Sequence, residues 1–306
     1  MLYQTIQEVR QRSQIKGIDT ICRLFGVSKQ AYYQYKSRKV EREFELVIVL
    51  ECVTKIRIRL KKIGTRKMLP LLKIELKKHQ IKIGRDQLFS LLRDNNMLVK
   101  KRKKRVVTTM SFHWLHTYDN LIKNLVPIRS GEIWVCDITY IETMECILYL
   151  SLITDAYSRK IVGYRIGENL TAAETIKALE MALLQRNKEV ELIHHSDRGV
   201  QYCSKEYVGL LQKDNIKISM AETGNPYENA IAERVNGTIK NEMLEDYLKM
   251  SKMQAIQAIE QAITIYNQER PHSSCENLTP EQAHEKTGEL KKLWKKYSPK
   301  RKENNL

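Results

Sequence analysis

Three acidic residues, Asp137, Asp197 and Glu233, have the neighbours and spacing needed for metal-assisted chemistry. Asp137 lies inside Ile-Trp-Val-Cys-Asp-Ile-Thr-Tyr (133–140), an apolar, β-prone run. Asp197 ends a second such run, Leu-Ile-His-His-Ser-Asp (192–197), and Arg198-Gly199 follows it. Glu233 comes after a gap of 35 residues, within a helix-like stretch at 229–240. Two carboxylates at strand ends and a third on a following helix can converge on a pair of divalent cations. Such a pair activates a hydroxyl and stabilises the leaving oxygen in phosphoryl transfer. An ionised carboxylate in an apolar strand is costly unless it is paired or metal-bound. Oxygen-only donors suit Mg²⁺ or Mn²⁺, two ions to a site. Asp155 also follows a β-prone run and competes with Asp137; a role in capping a turn, or in supporting the metal ligands from behind, is expected for it. The six cysteines form no CxxC pair, and His113 and His116 lack the two further ligands that zinc requires. Reduced, buried thiols are expected.

The residues around the three acids resemble those of the DDE transposases of the bacterial insertion-sequence-three family, second reading frame, which share their catalytic core with retroviral integrases. Trp134, Asp137, Ile138, Thr139 and Tyr140 match the first block. His195, Ser196, Asp197, Gly199, Gln201 and Tyr202 match the second. Asn225, Asn229, Ala230, Glu233 and Lys240 match the third, and Tyr266–His272 followed by Thr279-Pro280 a fourth. The resemblance runs from about 45 to 285. It implies a ribonuclease H-like fold and a DNA transposase: metal-dependent 3′-end cleavage, then strand transfer into target DNA. It implies that Asp137, Asp197 and Glu233 are both catalytic residues and metal ligands. Double-stranded DNA, as terminal inverted repeats and target, is the expected partner. A homo-oligomer on DNA is expected, with an upstream-frame protein fused or associated. The alternative is a sequence-specific DNA-binding regulator derived from a transposase and lacking catalysis; Mg²⁺-dependent nicking separates the two.

The chain of 306 residues has room for two or three domains, and its net charge of +17 is unevenly placed. Residues 1–110 hold 28 Lys+Arg against 9 Asp+Glu, residues 111–285 hold 17 against 25, and residues 286–306 hold 8 against 2. Basic flanks on an acidic core fit nucleic-acid binding, because phosphate contacts dominate that affinity. No run of 18 apolar residues suggests a membrane span, and the start lacks a signal-peptide core. A cytoplasmic, nucleoid-associated bacterial protein is the expectation.

An all-α helix-turn-helix region is expected before an α/β core with a mixed five-stranded sheet. Residues 1–40 read as a helix-turn-helix-like segment: Gly26 suits a sharp turn and Ser28 an N-cap. Lys29 and Gln30 open its second helix and are expected at DNA. Residues 41–105 read as a second helical DNA-binding unit with helices at 43–62, 65–79 and 83–96. Arg66, Lys67 and the linker Lys101, Arg102, Lys103, Lys104 and Arg105 are expected DNA contacts. Residues 106–128 read as linker, 129–285 as the integrase-type core and 286–306 as a basic tail. Strands are expected at 132–141, 147–156, 160–166, 191–195 and 216–220, with helices at 171–185, 203–213, 227–248 and 252–268. On the Glu233 helix, Asn229, Asn236, Gly237 and Lys240 share the acid's face by offset. Ile231, Val235, Ile239 and Met243 are expected against the sheet. Lys240, Arg234, Asn229, Gln201 and Tyr202 are the expected DNA contacts of the core.

Overall fold

The computed structural model describes residues 2–12, 17–99, 115–222, 229–244 and 247–293. The Lys101–Arg105 linker, Asn225 and most of the basic tail lie outside the described residues.

Five strands form one mixed sheet: β1 (Ile133–Glu142), β2 (Ile147–Asp155), β3 (Ile161–Gly167), β4 (Ile193–Ser196) and β5 (Lys217–Met220), in the order β3-β2-β1-β4-β5. The first three form the expected antiparallel meander. β4 and β5 run parallel to β1, so β1 is the central strand. Side chains alternate between faces along a strand. Trp134 and Cys136 enter a core with Leu179, Leu192 and Tyr207, on the side of α6 (Ala172–Leu183) and α7 (Lys205–Lys213). Ile133 and Val135 face the other way, toward Ala232 of α8 (Ala230–Thr238). Asp137 shares the parity of Ile133 and Val135, and therefore points toward α8.

The helix expected at 227–248 is not uniform. After α8 the chain widens into a π-helical turn, Ile239–Met243, closed by Leu244 N donating to Ile239 O at 3.0 Å. Helix α9 (Lys252–Glu269) and α10 (Pro280–His284) complete the core.

Ahead of the sheet come α1 (Leu2–Arg12), α2 (Ile18–Leu24), α3 (Lys29–Arg59), α4 (Thr65–Lys77) and α5 (Arg85–Asp94). Gly26 takes φ +66° in the turn between α2 and α3, and Ser28 Oγ accepts from Ala31 N at 3.1 Å. Ile6, Ile21, Cys22 and Tyr32 close a small core of their own. The boundary expected at 40/41 falls inside α3, which runs unbroken for 31 residues. No Gly or Pro interrupts residues 29–59, so nothing in the chain stops that helix. The second helical unit is likewise not separate from the sheet. Val53, Leu72, Leu76 and Leu88 belong to one apolar cluster with Leu150, Leu152, Val235, Ile259 and Tyr266.

Candidate active site

Strand register sets the first two acids level. Val135 pairs with His195 on parallel β4, and Asp137 and Asp197 each lie two residues further on. Adjacent strands are about 4.8 Å apart, so the two carboxylates are neighbours at the end of β4. Asp137 is half-buried. Its Oδ1 accepts from Ile138 N at 2.9 Å and its Oδ2 from Asn236 Nδ2 at 2.8 Å. Burial first, then Asp197, pushes the Asp137 carboxyl up to about 7; Glu233 adds to this and the two hydrogen bonds oppose it.

Asp197 leaves β4 in a tight turn, with its Oδ1 accepting from Gly199 N at 3.0 Å. A Cβ at Gly199 would lie 3.0 Å from that same oxygen, so a side chain there would press on the carboxylate. Arg198 Nε donates to Ala221 O at 2.9 Å and fastens the turn to the chain beyond β5. Glu233 is exposed in the first turn of α8, and its pKa is raised by desolvation and by Asp197. The three acids thus feel one another's charge. Among the described residues they are not drawn tightly enough to enclose an ion. The donor set fits a hard divalent cation: oxygen atoms only, and a half-buried Asp137 whose charge faces two other carboxylates and only neutral hydrogen-bond donors.

Other expected site residues fall into two groups. Arg234, Arg66, Lys29 and Gln30 are exposed. Gln201 is half-buried, with Nε2 donating to Leu170 O at 3.2 Å. Four others are differently engaged. Tyr202 is 3% exposed, and its ring meets Tyr207 at 5.4 Å between centroids. It is a core ring beneath the second acid, because the turn after β4 folds it back under the sheet, and it is not offered to DNA. Asn229 is buried and donates to Cys136 O at 2.8 Å. It satisfies a β1 carbonyl instead of reaching outward. Lys240 is half-buried and donates to Tyr140 O. Lys67 is 3.4 Å from Glu242 in the π-helical turn, a pairing that turns it toward the core. Asp155 caps the β2–β3 turn as expected: its oxygens accept from Gly131 N, Ser158 N and Ser158 Oγ, each at 2.8 Å.

Asn229, Asn236 and Lys240 therefore fasten the helical run to Cys136, Asp137 and Tyr140 of β1. Asn236 was placed by its offset on the face of Glu233; it instead meets Asp137 and is 4% exposed. A polar residue one turn from an acid, on a helix that must cross a strand bearing another acid, is the signal for such a partner.

The sequence profile of the integrase core domain matches residues 127–226, and a second integrase core domain profile matches 214–280. The chain is 38% identical over 272 residues to an insertion element IS600 uncharacterized 31 kDa protein of Shigella sonnei, covering 87% of this chain and 98% of that one. The chain belongs to the IS3-family integrase-core transposases. A further relative is the transposase InsF for insertion sequence IS3A of Escherichia coli strain K12, 28% identical over 269 residues, covering 87% of this chain and 93% of that protein. Among solved structures, the HTLV-2 integrase catalytic core domain in complex with magnesium is 24% identical, with a TM-score of 0.42, and the match covers 52% of this chain and 99% of that one. This IS3-family chain is a transposase and an enzyme of the polynucleotidyl transferase type. Its sheet order and flanking helices are those of the ribonuclease H-like integrase core. No helix among the described residues is long and apolar enough to cross a membrane.

Proposed function

We propose that this chain cuts the 3′ ends of an insertion sequence and joins them to target DNA, with Asp137, Asp197 and Glu233 holding two divalent cations, Mg²⁺ or Mn²⁺. The observation that supports the reading is that Asp137 and Asp197 each lie two residues beyond the Val135–His195 pair of parallel β1 and β4, with Glu233 close enough for its charge to raise the pKa of Asp137. Bound metal would supply activation of the attacking hydroxyl and neutralisation of the leaving oxygen. Asp137, Asp197 and Glu233 would be the residues that hold the ions, through carboxylate oxygens alone.

In the first step a water oxygen bonds to the terminal phosphorus and the bond to the 3′ oxygen breaks, leaving a free 3′ hydroxyl. In the second, that hydroxyl attacks another phosphodiester in line, and a new strand joint replaces the old one. No covalent protein intermediate is needed. Asn236 holds Asp137 oriented through both steps, and the backbone N–H of Gly199 does the same for Asp197. Arg234, exposed on the same helical run as Glu233, steers the terminal backbone. The exposed Lys29, Gln30 and Arg66 of α3 and α4 contact the terminal repeats. The protein acts as a homo-oligomer on DNA, and an upstream-frame partner would add DNA contacts to this chain.

The test is cleavage and strand transfer with a duplex carrying the element's terminal repeat. Mg²⁺-dependent release of a 3′ hydroxyl end, absent in Asp137→Asn, is expected. Cleavage that proceeds equally in EDTA would overturn the reading.

A further inference from the structure

The Tyr266–His272 block takes no part in the site above, yet it buries a full charge. Arg270 is 1% exposed. Its Nε donates to Glu242 Oε1 at 2.9 Å and its Nη2 to Glu242 Oε2 at 2.8 Å, a two-pronged pair. Nη1 lies 2.7 Å from His272 Nε2. Burial, with Arg270 alongside, holds His272 well below its ordinary pKa, so the ring is neutral and accepts. The Tyr266 ring lies 5.7 Å from the guanidinium carbon, and Lys67 Nζ of α4 reaches Glu242 Oε2 at 3.4 Å. Glu242 is therefore shared by three elements: its own π-helical turn, the end of α9 and the first turn of α4.

Apolar replacements of a buried ion pair are often as stable as the pair itself, and the best-attested use of such pairs is to fix one arrangement against others. What this pair fixes follows from its place. Glu242 lies in the same helical run as Glu233. Asn229 fastens the start of that run, Asn236 its middle and Lys240 a point beyond. Single-turn π insertions are frequent at functional sites; here the widened turn sets the direction in which Glu242 points. Rotation or sliding of the run would carry Glu233 away from Asp137 and Asp197, and it cannot occur without breaking the Glu242–Arg270 pair.

We infer that Glu242 and Arg270 are positioning residues for Glu233, and that Lys67 couples that position to the α4–α5 unit. The seating of the DNA-binding helices and the aim of the third acid then depend on one carboxylate. The inference rests on the reading of Glu233 as a metal ligand. It is tested in the full chain with Glu242→Gln, Arg270→Lys and Lys67→Met, each measured for cooperative unfolding, terminal-repeat affinity, single-turnover cleavage and half-saturating Mn²⁺.

Wild type and Glu233→Gln are measured first. If wild type fails to cleave, or Glu233→Gln cleaves as well as wild type, it is the ligand reading that fails. Once that control holds, Glu242→Gln and Arg270→Lys should keep DNA affinity within about threefold, while cleavage falls and half-saturating Mn²⁺ rises by up to the roughly 10- to 100-fold that loss of a ligand's direct partner costs. Lys67→Met, on a side chain that is one-third exposed, should shift the metal requirement in the same direction by less. Unchanged cleavage and metal requirement in folded Glu242→Gln and Lys67→Met would overturn the inference. So would losses that track unfolding alone. If Arg270→Lys does not fold, the other two variants decide.

Discussion

Asn236 donates a 2.8 Å hydrogen bond to Oδ2 of Asp137, so the helix that carries the third acid also orients the first. Asn236→Ala removes that donor and should lower cleavage by about 10- to 100-fold while raising the metal concentration required. Asn236→Asp should be worse, because it sets a fourth carboxylate beside three. Metal titrations of single-turnover cleavage check both, and an Asn236→Ala protein with wild-type cleavage would show that Asp137 needs no such partner.

The three acids should act as a unit. Asp137→Asn, Asp197→Asn and Glu233→Gln should each lower cleavage and strand transfer by about 10³-fold or more while leaving DNA binding. Substantial activity in any one removes it from the set. Asp155→Asn is a stability variant. It replaces a carboxylate that receives three hydrogen bonds and is fully buried. Loss of one acceptor should cost about 1–3 kcal/mol, read as a lower melting temperature with cleavage per folded molecule retained.

Two histidines and one aspartate give opposing pH dependences to the metal-free chain. Burial, then His195, holds His194 down to about 3, and its Nε2 lies 2.8 Å from Cys136 Sγ and 2.9 Å from Tyr207 OH. His272 is also held low. In the unfolded chain both titrate near 6.5, so below that pH the unfolded state takes up more protons and stability falls. Asp137, raised to about 7, is protonated first in the folded state and offsets one histidine between about pH 7 and its unfolded value near 4. Each proton counts for about 1.4 kcal/mol per pH unit. Urea midpoints from pH 7.5 to 5 should therefore fall with acid, more steeply in Asp137→Asn and less steeply in His194→Gln. The reverse order would contradict this assignment of the buried groups.

The sequence suggests that removing residues 1–110 leaves an intact core, but the packing points to a different outcome. Apolar residues between 49 and 92 share one cluster with Leu148, Leu150 and Leu152 of β2 and with α8 and α9. Truncation before residue 41 should leave a protein that unfolds cooperatively, since α1, α2 and Tyr32 have a separate small core. Truncation at 110 would strip cover from Leu150, Leu152, Val235 and Ile259, and should give an aggregating or molten chain. Urea unfolding and dye binding to exposed apolar surface distinguish the two truncations. The affinity of the full chain for DNA should fall steeply with salt, with a log–log slope near −0.9 for each phosphate neutralised.

Local signals made much of this legible. β-prone runs, Gly26, Ser28 and the spacing of the acids depend on near neighbours, and the strands fall within a few residues of where those runs place them. The partners did not read, because they are set by what lies across the fold. Asn229 and Asn236 look solvent-facing on a helical wheel; they are buried because Cys136 O and Asp137 need donors. Lys67 stands in a basic segment that suggests DNA, and its carboxylate is 175 residues away. Tyr202 sits in a matching motif, but the motif does not say whether the ring faces ligand or core. The π-helical turn leaves no periodic mark, since one extra residue disturbs the pattern only where it occurs.

Helix α3 runs from the first turn of the recognition segment to the wall of the catalytic core without a break. Thirty-one residues at 1.5 Å each make a rod of roughly 46 Å. Under the proposed function this rod would act as a ruler, holding bases read at its start at a set distance and a set angular phase from the core against which its end packs. One residue added to the exposed middle of α3 would rotate the reading head by about 100° and advance it by only 1.5 Å. Seven added residues would nearly restore the phase and lengthen the rod by about 10 Å. Spacing between recognised and cleaved positions on the element's ends is, on this view, written into the length of one helix.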